Sequence, residues 1–471
     1  MHQKEKIIDM SEPVYIVGLD IGTTKIACIV GEKMPNGKIE IRGYGKRDSI
    51  GVKRGMVVNI EDTVEAIKGA VAQASEQSKV NIKSVNVGIA GHHIKSLQHR
   101  GVLIRENADV EISDQELDKL KLDMYKIGTS PGEEIVNVIP QEYFIDGEPI
   151  GNQRPKGMLG NKLEANFHVI IGQTSAVKNI IKCIEHAGLE MENMILEPIA
   201  SAAAVLGDDE KEAGVAIVDI GGGTTDIAVF YDSIIYHTAV IPLGGNIITE
   251  DIRQGCSIIR KHAEEIKVKF GSAVASENSD DEVVSIPGIH GREAKEISFK
   301  NLAGIIQARL EEIFDFVNSE IQKVNSEHKL IAGIVLTGGG AMMKHIRQLA
   351  EFKTGMEVRL GYPNENLANE TASDLESPMY STGIGLVIEG IAKYENNRQR
   401  DNLSNEPISY QTPSADVDEV EDTHSDDTGN KKEDKEKSKR VGFNIKDIIT
   451  GFTRFFNNDD NIDKNITDIE Q

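Results

Sequence analysis

Tryptophan is absent from the 471 residues, aromatics make up only 5%, and cysteine occurs three times, at Cys28, Cys183 and Cys256. The three stand alone, without a CxxC pair or any metal-ligand spacing, which excludes a disulfide framework and makes the reducing cytosol the expected compartment. No run of about 18 apolar residues offers a membrane span, and the opening segment MHQKEKIIDMSEPVYIV has no signal-peptide core. Positive charge is in short supply. With 52 Lys and Arg against 76 Asp and Glu, the net charge is −24 and the pI about 5.0, so no nucleic-acid partner is expected. A Gly-Lys-Ser/Thr ending is missing as well, which excludes a Walker A loop. The length allows two to four domains with ample core.

What is present is organised around residues 215–230, VAIVDIGGGTTDIAVF. Short β-branched runs flank Gly221, Gly222 and Gly223, so the pattern predicts two strands joined by a tight turn. The glycines let successive backbone N–H groups approach a ligand and form an anion-binding nest. Thr224, Thr225, Asp219 and Asp226 stand beside that nest, and together they are the components of a phosphate-plus-Mg²⁺ site. Alone, the stretch fits an ordinary glycine-rich hairpin equally well. An echo breaks the tie. Residues 17–27, VGLDIGTTKIA, repeat it with two fewer glycines: Asp20 matches Asp219, Thr23 and Thr24 match Thr224 and Thr225, and Lys25 takes the place of Asp226. Two phosphate hairpins imply a duplicated unit, one copy in each of two lobes, with a nucleotide between them. Neither is a dinucleotide fingerprint, because each glycine turn leads into a strand rather than a helix.

Strands are expected at 14–18, 25–30 and 39–45, then a helix at 61–78 and a strand at 85–89. The order recurs at 215–220, 227–230 and 233–241, with helical sequence from Ile248. Two β-β-β-α-β units predict an α/β, duplicated ribonuclease-H-like fold of the actin and Hsp70 type. The first lobe then comprises 13–90, 173–212 and 371–395, and the second 213–254 and 328–370. Residues 91–172 read as a small inserted α+β domain, with a helix at 114–127 and strands at 134–139 and 167–171, tethered to the first lobe only. A second insertion, 255–327, carries an acidic loop at 276–281. Its amphipathic helix, 299–324, has an apolar face of Leu302, Ile305, Ile306, Leu310, Ile313, Phe314 and Val317. Residues 396–440 are too polar to offset chain entropy and predict a disordered linker. Apolar residues return in a helix at 441–457, before an acidic tail at 458–471.

Residues 330–343, LIAGIVLTGGGAMM, predict a strand ending in Gly338, Gly339 and Gly340, at the edge where open α/β sheets bind ligands. Their backbone is suited to lie against adenosine. Glu264 and Lys267, three residues apart on one helix face, suit ribose hydroxyls and the adenine edge; a surface ion pair explains them too.

With these segments in view the chain resembles the actin-like ATPases. Five motifs stand in that superfamily's order: 17–25 and 215–226 as phosphate loops, EPIASAAAVL (197–206) and STGIGL (381–386) as connectors, and 337–343 as the adenosine loop. Within the superfamily it is most similar to the bacterial cell-division FtsA family, through GIAGHHI (88–94), IPQEYFIDG (139–147), GMLGNKLEANFHVI (157–170), PLGGNIITEDI (242–252) and AEEIKVKFG (263–271). The basic run 153–156 and the acidic tail depart from the family pattern. His92 and His93, at a domain hinge, read as loop residues rather than ligands.

The resemblance implies ATP and Mg²⁺ as cofactors. Asp20 and Asp219 would hold the metal through water. Gly22, Thr23, Thr24 and Lys25 would bind phosphate from one side, and Gly221 to Thr225 from the other. Gly245, Glu264, Lys267, Gly338, Gly339, Gly340 and Met342 would complete the nucleotide contacts. Glu197 matches the connector carboxylate that orients attacking water, and reads equally as a helix N-terminal charge before Pro198. The implied role is a weak ATPase in which ATP acts mainly as an assembly ligand. It would polymerise through the inserted domain and tether the tubulin-like protein FtsZ to the cytoplasmic face of the membrane at the division site, alongside other division proteins. The C-terminal peptide of FtsZ would dock near Lys300 and Arg309.

The terminal helix fits that role. Ile445, Ile448, Ile449, Phe452, Phe455 and Phe456 form one stripe, and its length of roughly 21 Å is short of the ~30 Å hydrocarbon core. Such a helix lies in an anionic membrane interface rather than crossing it. Two other readings compete. A small-molecule kinase of this fold would need a carboxylate base facing a sugar pocket, which is not found. The related pilus-assembly ATPase shares the inserted domain but should lack the linker and terminal helix.

Overall fold

The computed structural model describes residues 13–404 apart from 152, 289–292, 326–328, 365–366 and 369–372. In the first lobe, β1 (Tyr15–Ile21) and β2 (Lys25–Lys33) form an antiparallel hairpin that β3 (Ile39–Asp48) extends. A miniature hairpin, β4 (Val52–Lys53) and β5 (Met56–Val57), turns through Arg54 and Gly55. It leads into α1 (Ile60–Ser78), which starts where the Asn59 side chain accepts the Asp62 N–H, with Glu61 and Asp62 at its positive end. Val64, Ile67, Ala70 and Ala74 of α1 are buried against the sheet. β6 (Ser84–Ile89) then returns parallel to β1.

The inserted domain comprises β7 (Ile94–Ile104), α2 (Asp114–Met124), β8 (Glu133–Ile145), β9 (Glu148–Gly151) and β10 (Lys162–Gln173). Its sheet runs β7-β10-β8-β9, and Leu117, Leu120 and Met124 of α2 pack on Leu163, Phe167 and Val169. The strand β7 was not expected. It lies at the sheet edge with most of its residues exposed, so it carries little of the apolar alternation by which strands are read. A second correction concerns attachment. The domain is not held by the first lobe alone: Ser96 Oγ donates to the Thr238 carbonyl at 3.0 Å, Gln98 Nε2 to that of Tyr236 at 3.2 Å, and His168 Nε2 lies 2.9 Å from Thr238 Oγ1. The chain connects it to one lobe, and side-chain hydrogen bonds seat it on the other.

After α3 (Thr174–His186), β11 (Glu190–Leu196) completes a sheet of order β11-β6-β1-β2-β3. α4 (Glu197–Val205) and α5 (Asp208–Ala213) cross to the second lobe, where β12 (Val215–Ile220), β13 (Thr225–Tyr231) and β14 (Ile234–Ile241) repeat the three-stranded antiparallel start. There follow α6 (Gly245–Gly255), α7 (Arg260–Phe270), β15 (Val283–Ile286), β16 (Lys295–Ser298) and α8 (Phe299–Asn325). β17 (Ile334–Thr337), α9 (Ile346–Thr354) and β18 (Val358–Leu360) close the lobe. The resulting order, β14-β13-β12-β17-β18, matches the first sheet strand for strand, so the duplication read from the sequence is real. β12 is buried at every position, as a central strand covered on both faces must be. On α8, Leu302, Ile306, Leu310, Ile313, Phe314 and Val317 are buried as expected, each contributing about 1.5–3 kcal/mol.

α10 (Ser381–Ser404) packs on α4, and the two helices fill the space between the sheets. Ala202, Val205, Ile384 and Val387 join Ile16, Ala27 and Ile29 of one lobe to Val215, Ile217 and Ala228 of the other. This actin-like arrangement puts both β-hairpin turns at one lobe boundary. Residues 396–404, expected in the linker, are the last turns of α10. Once a helix is nucleated, each further residue adds a backbone bond without needing apolar surface. The rest of the expected linker, the membrane helix with Ile445, Ile448, Ile449, Phe452, Phe455 and Phe456, and the acidic tail lie outside the described residues.

Candidate nucleotide site

The two hairpins turn through equal numbers of residues. Asp20 pairs in register with Ala27, and Asp219 with Asp226. The Gly22 N–H donates to the Lys25 carbonyl at 3.0 Å, and the Gly221 N–H to the Thr224 carbonyl at 2.9 Å. The two-residue gap assumed in matching the copies is therefore absent. Thr23 and Thr24 occupy the places of Gly222 and Gly223, Lys25 that of Thr224, and the counterpart of Asp226 is Ala27. Lys25 does not replace Asp226. Matching the Thr-Thr pairs followed residue identity, whereas the backbone follows the hydrogen-bond register.

The hairpin tips meet. A Cβ on Gly222 would stand 1.9 Å from Thr24 Oγ1, and one on Gly223 2.5 Å from Thr23 Oγ1. Glycine in one copy thus makes room for threonine in the other, and the hairpin tips of the two lobes are in contact.

The carboxylates gather behind the tips. Asp20 accepts from Lys25 Nζ at 2.5 Å. Asp219 Oδ2 accepts from Ser201 Oγ on α4 at 2.7 Å and from Thr382 Oγ1 on α10 at 3.1 Å, so both connector helices hold it. Asp226 is buried; Thr224 Oγ1 donates to its Oδ2 at 2.9 Å, while its Oδ1 has no partner among the described residues. Burial, then the charge of Asp219, pushes the Asp226 carboxyl up to about 8. Burial also raises Asp219 against the hydrogen bonds of Ser201 and Thr382. Burial and then Asp20, Asp226 and Asp219 raise Glu197 well above the carboxylate range. For Lys25, burial works downward, but Asp20 and then Asp219 and Glu197 hold the ammonium above its ordinary value.

Four carboxyls thus face one ammonium that is already paired. A divalent cation answers that deficit, and the unpartnered Oδ1 of Asp226 fits its water shell. Among the described residues no three His, Cys, Asp or Glu side chains cluster closely enough to ligate an ion directly.

The residues expected on the adenosine side converge on the same point. Gly338, at φ 84°, presses against the second hairpin; a Cβ there would stand 2.2 Å from Asp219 Oδ1. Gly339 and Gly340 open the short turn to Met342, whose side chain is exposed and accepts from Ser377 Oγ at 3.4 Å. The Gly245 N–H, at the start of α6, donates to the Gly221 carbonyl at 2.9 Å. Lys267 Nζ donates to the Gly245 carbonyl at 3.0 Å, to Thr249 Oγ1 at 2.8 Å and to Glu264 at 2.8 Å. The Glu264–Lys267 pair on α7 is therefore an ion pair, and Lys267 bonds it to the start of α6, the helix that supports the second hairpin. Glu197 opens α4 with Pro198 behind it, so its helix-start position and its place among the carboxyls coincide.

Sequence reasoning placed Asp226 beside the site without a separate role and gave none to Ser201 or Thr382. The last two were visible as hydroxyls within the apolar connectors. Lys300 and Arg309 stand apart, already engaged: Lys300 with Asp280 at 2.8 Å, and Arg309 with Asp251 at 2.6 and 3.1 Å and with Glu312.

Comparison with known proteins bears on both lobes and the insertion. A family model described as cell division protein FtsA matches residues 216–385, and one described as SHS2 domain inserted in FtsA matches 91–171. The cell division protein FtsA of Pseudomonas aeruginosa is 40% identical over 403 residues, covering 85% of this chain and 95% of that protein. The protein of the same name from Neisseria meningitidis serogroup B is 41% identical over 384 residues, covering 81% and 91%. Among solved structures, the PilM-PilN type IV pilus biogenesis complex matches with a TM-score of 0.59 at 15% identity, over 80% of this chain and 99% of that one. At that identity the likeness is one of fold.

Proposed function

The chain belongs to the FtsA family of bacterial cell-division proteins, and on that premise we propose that it binds Mg²⁺-ATP between its lobes, assembles into filaments and tethers FtsZ to the cytoplasmic face of the membrane at the division site. The observation that carries the nucleotide step is the meeting of two equivalent hairpins over a set of carboxyls short of positive charge. The hairpin N–H groups and hydroxyls bind phosphate oxygens, Asp20 and Asp219 hold the hydrated metal, and Gly338–Gly340 lie along the adenosine. Mg²⁺, when bound, neutralises phosphate charge and brings the carboxyls back toward ionisation. Glu197 then accepts a hydrogen bond from water and orients it. Burial and its carboxyl neighbours raise Glu197, and a carboxylate is in any case a modest base, which favours slow turnover and ATP as an assembly ligand.

The inserted domain, seated on both lobes, is suited to feel their closure and to make filament contacts. The FtsZ peptide, ending in a carboxylate, would dock on the second-lobe insertion by competing for Arg309 with Asp251 and for Lys300 with Asp280. The stripe Ile445, Ile448, Ile449, Phe452, Phe455 and Phe456 would enter an anionic interface, strengthened by many helices in one filament. The test uses the full chain on liposomes containing anionic lipid. We expect Mg²⁺-dependent ATP binding by calorimetry, co-sedimentation, and filaments by electron microscopy, with Phe452→Glu losing the liposomes but keeping ATP. No ATP binding removes the nucleotide reading; Phe452→Glu sedimenting like the parent removes the anchor.

A further inference from the structure

The β4–β5 turn belongs to neither phosphate hairpin yet rests against both. The Gly55 N–H donates to Thr23 Oγ1 at 3.1 Å. The Arg54 Cα lies 3.0 Å from where a Cβ on Gly223 would stand. On its other side the turn leans on the entrance to the inserted domain, where a Cβ on Gly55 would be 2.7 Å from Gly91 Cα and 2.8 Å from the Ala90 carbonyl. The turn is wedged, and its position is fixed by its neighbours. Arg54 sits at φ 49°, in the left-handed region, where hairpin turns ordinarily carry Asn, Asp or Gly. A long cation has been placed at a position that disfavours its backbone. Its side chain is exposed and, among the described residues, has no carboxylate at ion-pair distance.

From this placement we propose that Arg54 is a ligand of the nucleotide's terminal phosphate and sets a preference for ATP over ADP. The inference rests on the nucleotide reading above and adds to it a residue outside both phosphate loops. Position selects the phosphate. The adenosine loop presses on Asp219 and Ile220, at the strand end of the second hairpin, whereas Arg54 abuts Thr23 and Gly223 at the tips. Charge selects the residue. The tips offer neutral N–H groups and hydroxyls, and the nearby ammonium of Lys25 is taken by Asp20. A guanidinium keeps its charge and presents a planar fork of donors that matches phosphate oxygens. Because the backbone is held on both sides, less ordering is needed on binding than for a free loop.

Calorimetric titration of the full chain with ATP and with ADP, each with Mg²⁺, tests this in the parent, Arg54→Ala and Arg54→Lys. Arg54→Ala should weaken ATP about tenfold or more and ADP less than about twofold, with Arg54→Lys recovering part of the loss. Unchanged ATP affinity, or equal loss for the two nucleotides, overturns the assignment. Arg54→Gly, which suits the positive φ, should give the same contrast and replaces the alanine variant if that one does not fold. A parent protein that binds neither nucleotide overturns the underlying nucleotide reading as well, and the parent titration alone tells the two failures apart.

Discussion

In the first hairpin Asp20 has its own counter-ion, Lys25 at 2.5 Å; in the second, Asp219 accepts from the hydroxyls of Ser201 and Thr382, and a second carboxyl, Asp226, stands directly across the ladder. The backbones of the two turns are equivalent, but the charges on them are not. One copy neutralises itself within five residues. The other accumulates negative charge and is tied to both connector helices. The two copies of a duplicated hairpin thus differ, one with hydroxyls at its tip and the other with glycines at its tip and an excess of carboxyl groups behind it.

The largest expected effect tests that asymmetry. Asp219→Ala should weaken Mg²⁺-ATP by about a hundredfold, since it removes a buried charged partner of the metal shell. Asp20→Ala should cost no more than about tenfold, because the freed Lys25 ammonium can meet phosphate instead. Calorimetric titrations that give equal losses would break the comparison.

A smaller effect concerns Asp226. An ordinary aspartate titrates near 3.8, and here the group is pushed up to about 8. Between those values the folded chain keeps a proton that the unfolded chain releases, so stability falls as pH rises from about 4 to about 8 and levels off above. Asp226→Asn should flatten that slope and stabilise the ligand-free protein at pH 8, while weakening Mg²⁺-ATP. Asp219 and Glu197 shift in the same direction, so some slope should remain. Urea unfolding at pH 5 and pH 8 measures it, and an unchanged slope would clear Asp226 of the charge deficit.

The smallest effect sharpens the comparison at the tips. Gly222→Thr makes the second tip resemble the first and should destabilise the closed lobes by about 1–3 kcal/mol through contact with Thr24. Gly128→Ala, at an open site with nothing within 4 Å, should leave the urea midpoint nearly unchanged. Pairing Gly222→Thr with Thr24→Gly should restore much of the loss. Additive behaviour of the two substitutions would show that the tips do not touch.

Much of this candidate site was legible in the sequence because a hairpin with a glycine turn is a local device. Apolar runs of strand length, a glycine turn and Asp20 or Asp219 at a strand end all lie within a dozen residues, and the second copy confirmed the first. The amphipathic face of α8 was legible for the same reason, since its periodicity is written in consecutive residues. Register was not legible. Thr-Thr matched Thr-Thr by identity, and only the ladder pairs Asp20–Ala27 and Asp219–Asp226 show that the turns are equal in length and that Asp226 faces the site. The strand β7 escaped because an exposed edge leaves little apolar pattern. The contacts of Ser96, Gln98 and His168 with the second lobe escaped because they join residues far apart in the chain.

By itself, then, the sequence determined the duplicated α/β plan, the two glycine turns and the connectors, because each is encoded in spacing along a short segment. The tertiary structure alone decided that Gly222 and Gly223 meet Thr24 and Thr23 and that Ser201 and Thr382 hold Asp219 from two helices. It likewise decided that Arg309 is spent on Asp251 and that Arg54 is wedged beside both tips with no carboxylate at ion-pair distance among the described residues. Those are contacts between segments tens to hundreds of residues apart, and they exist only once the two sheets and the helices between them have packed.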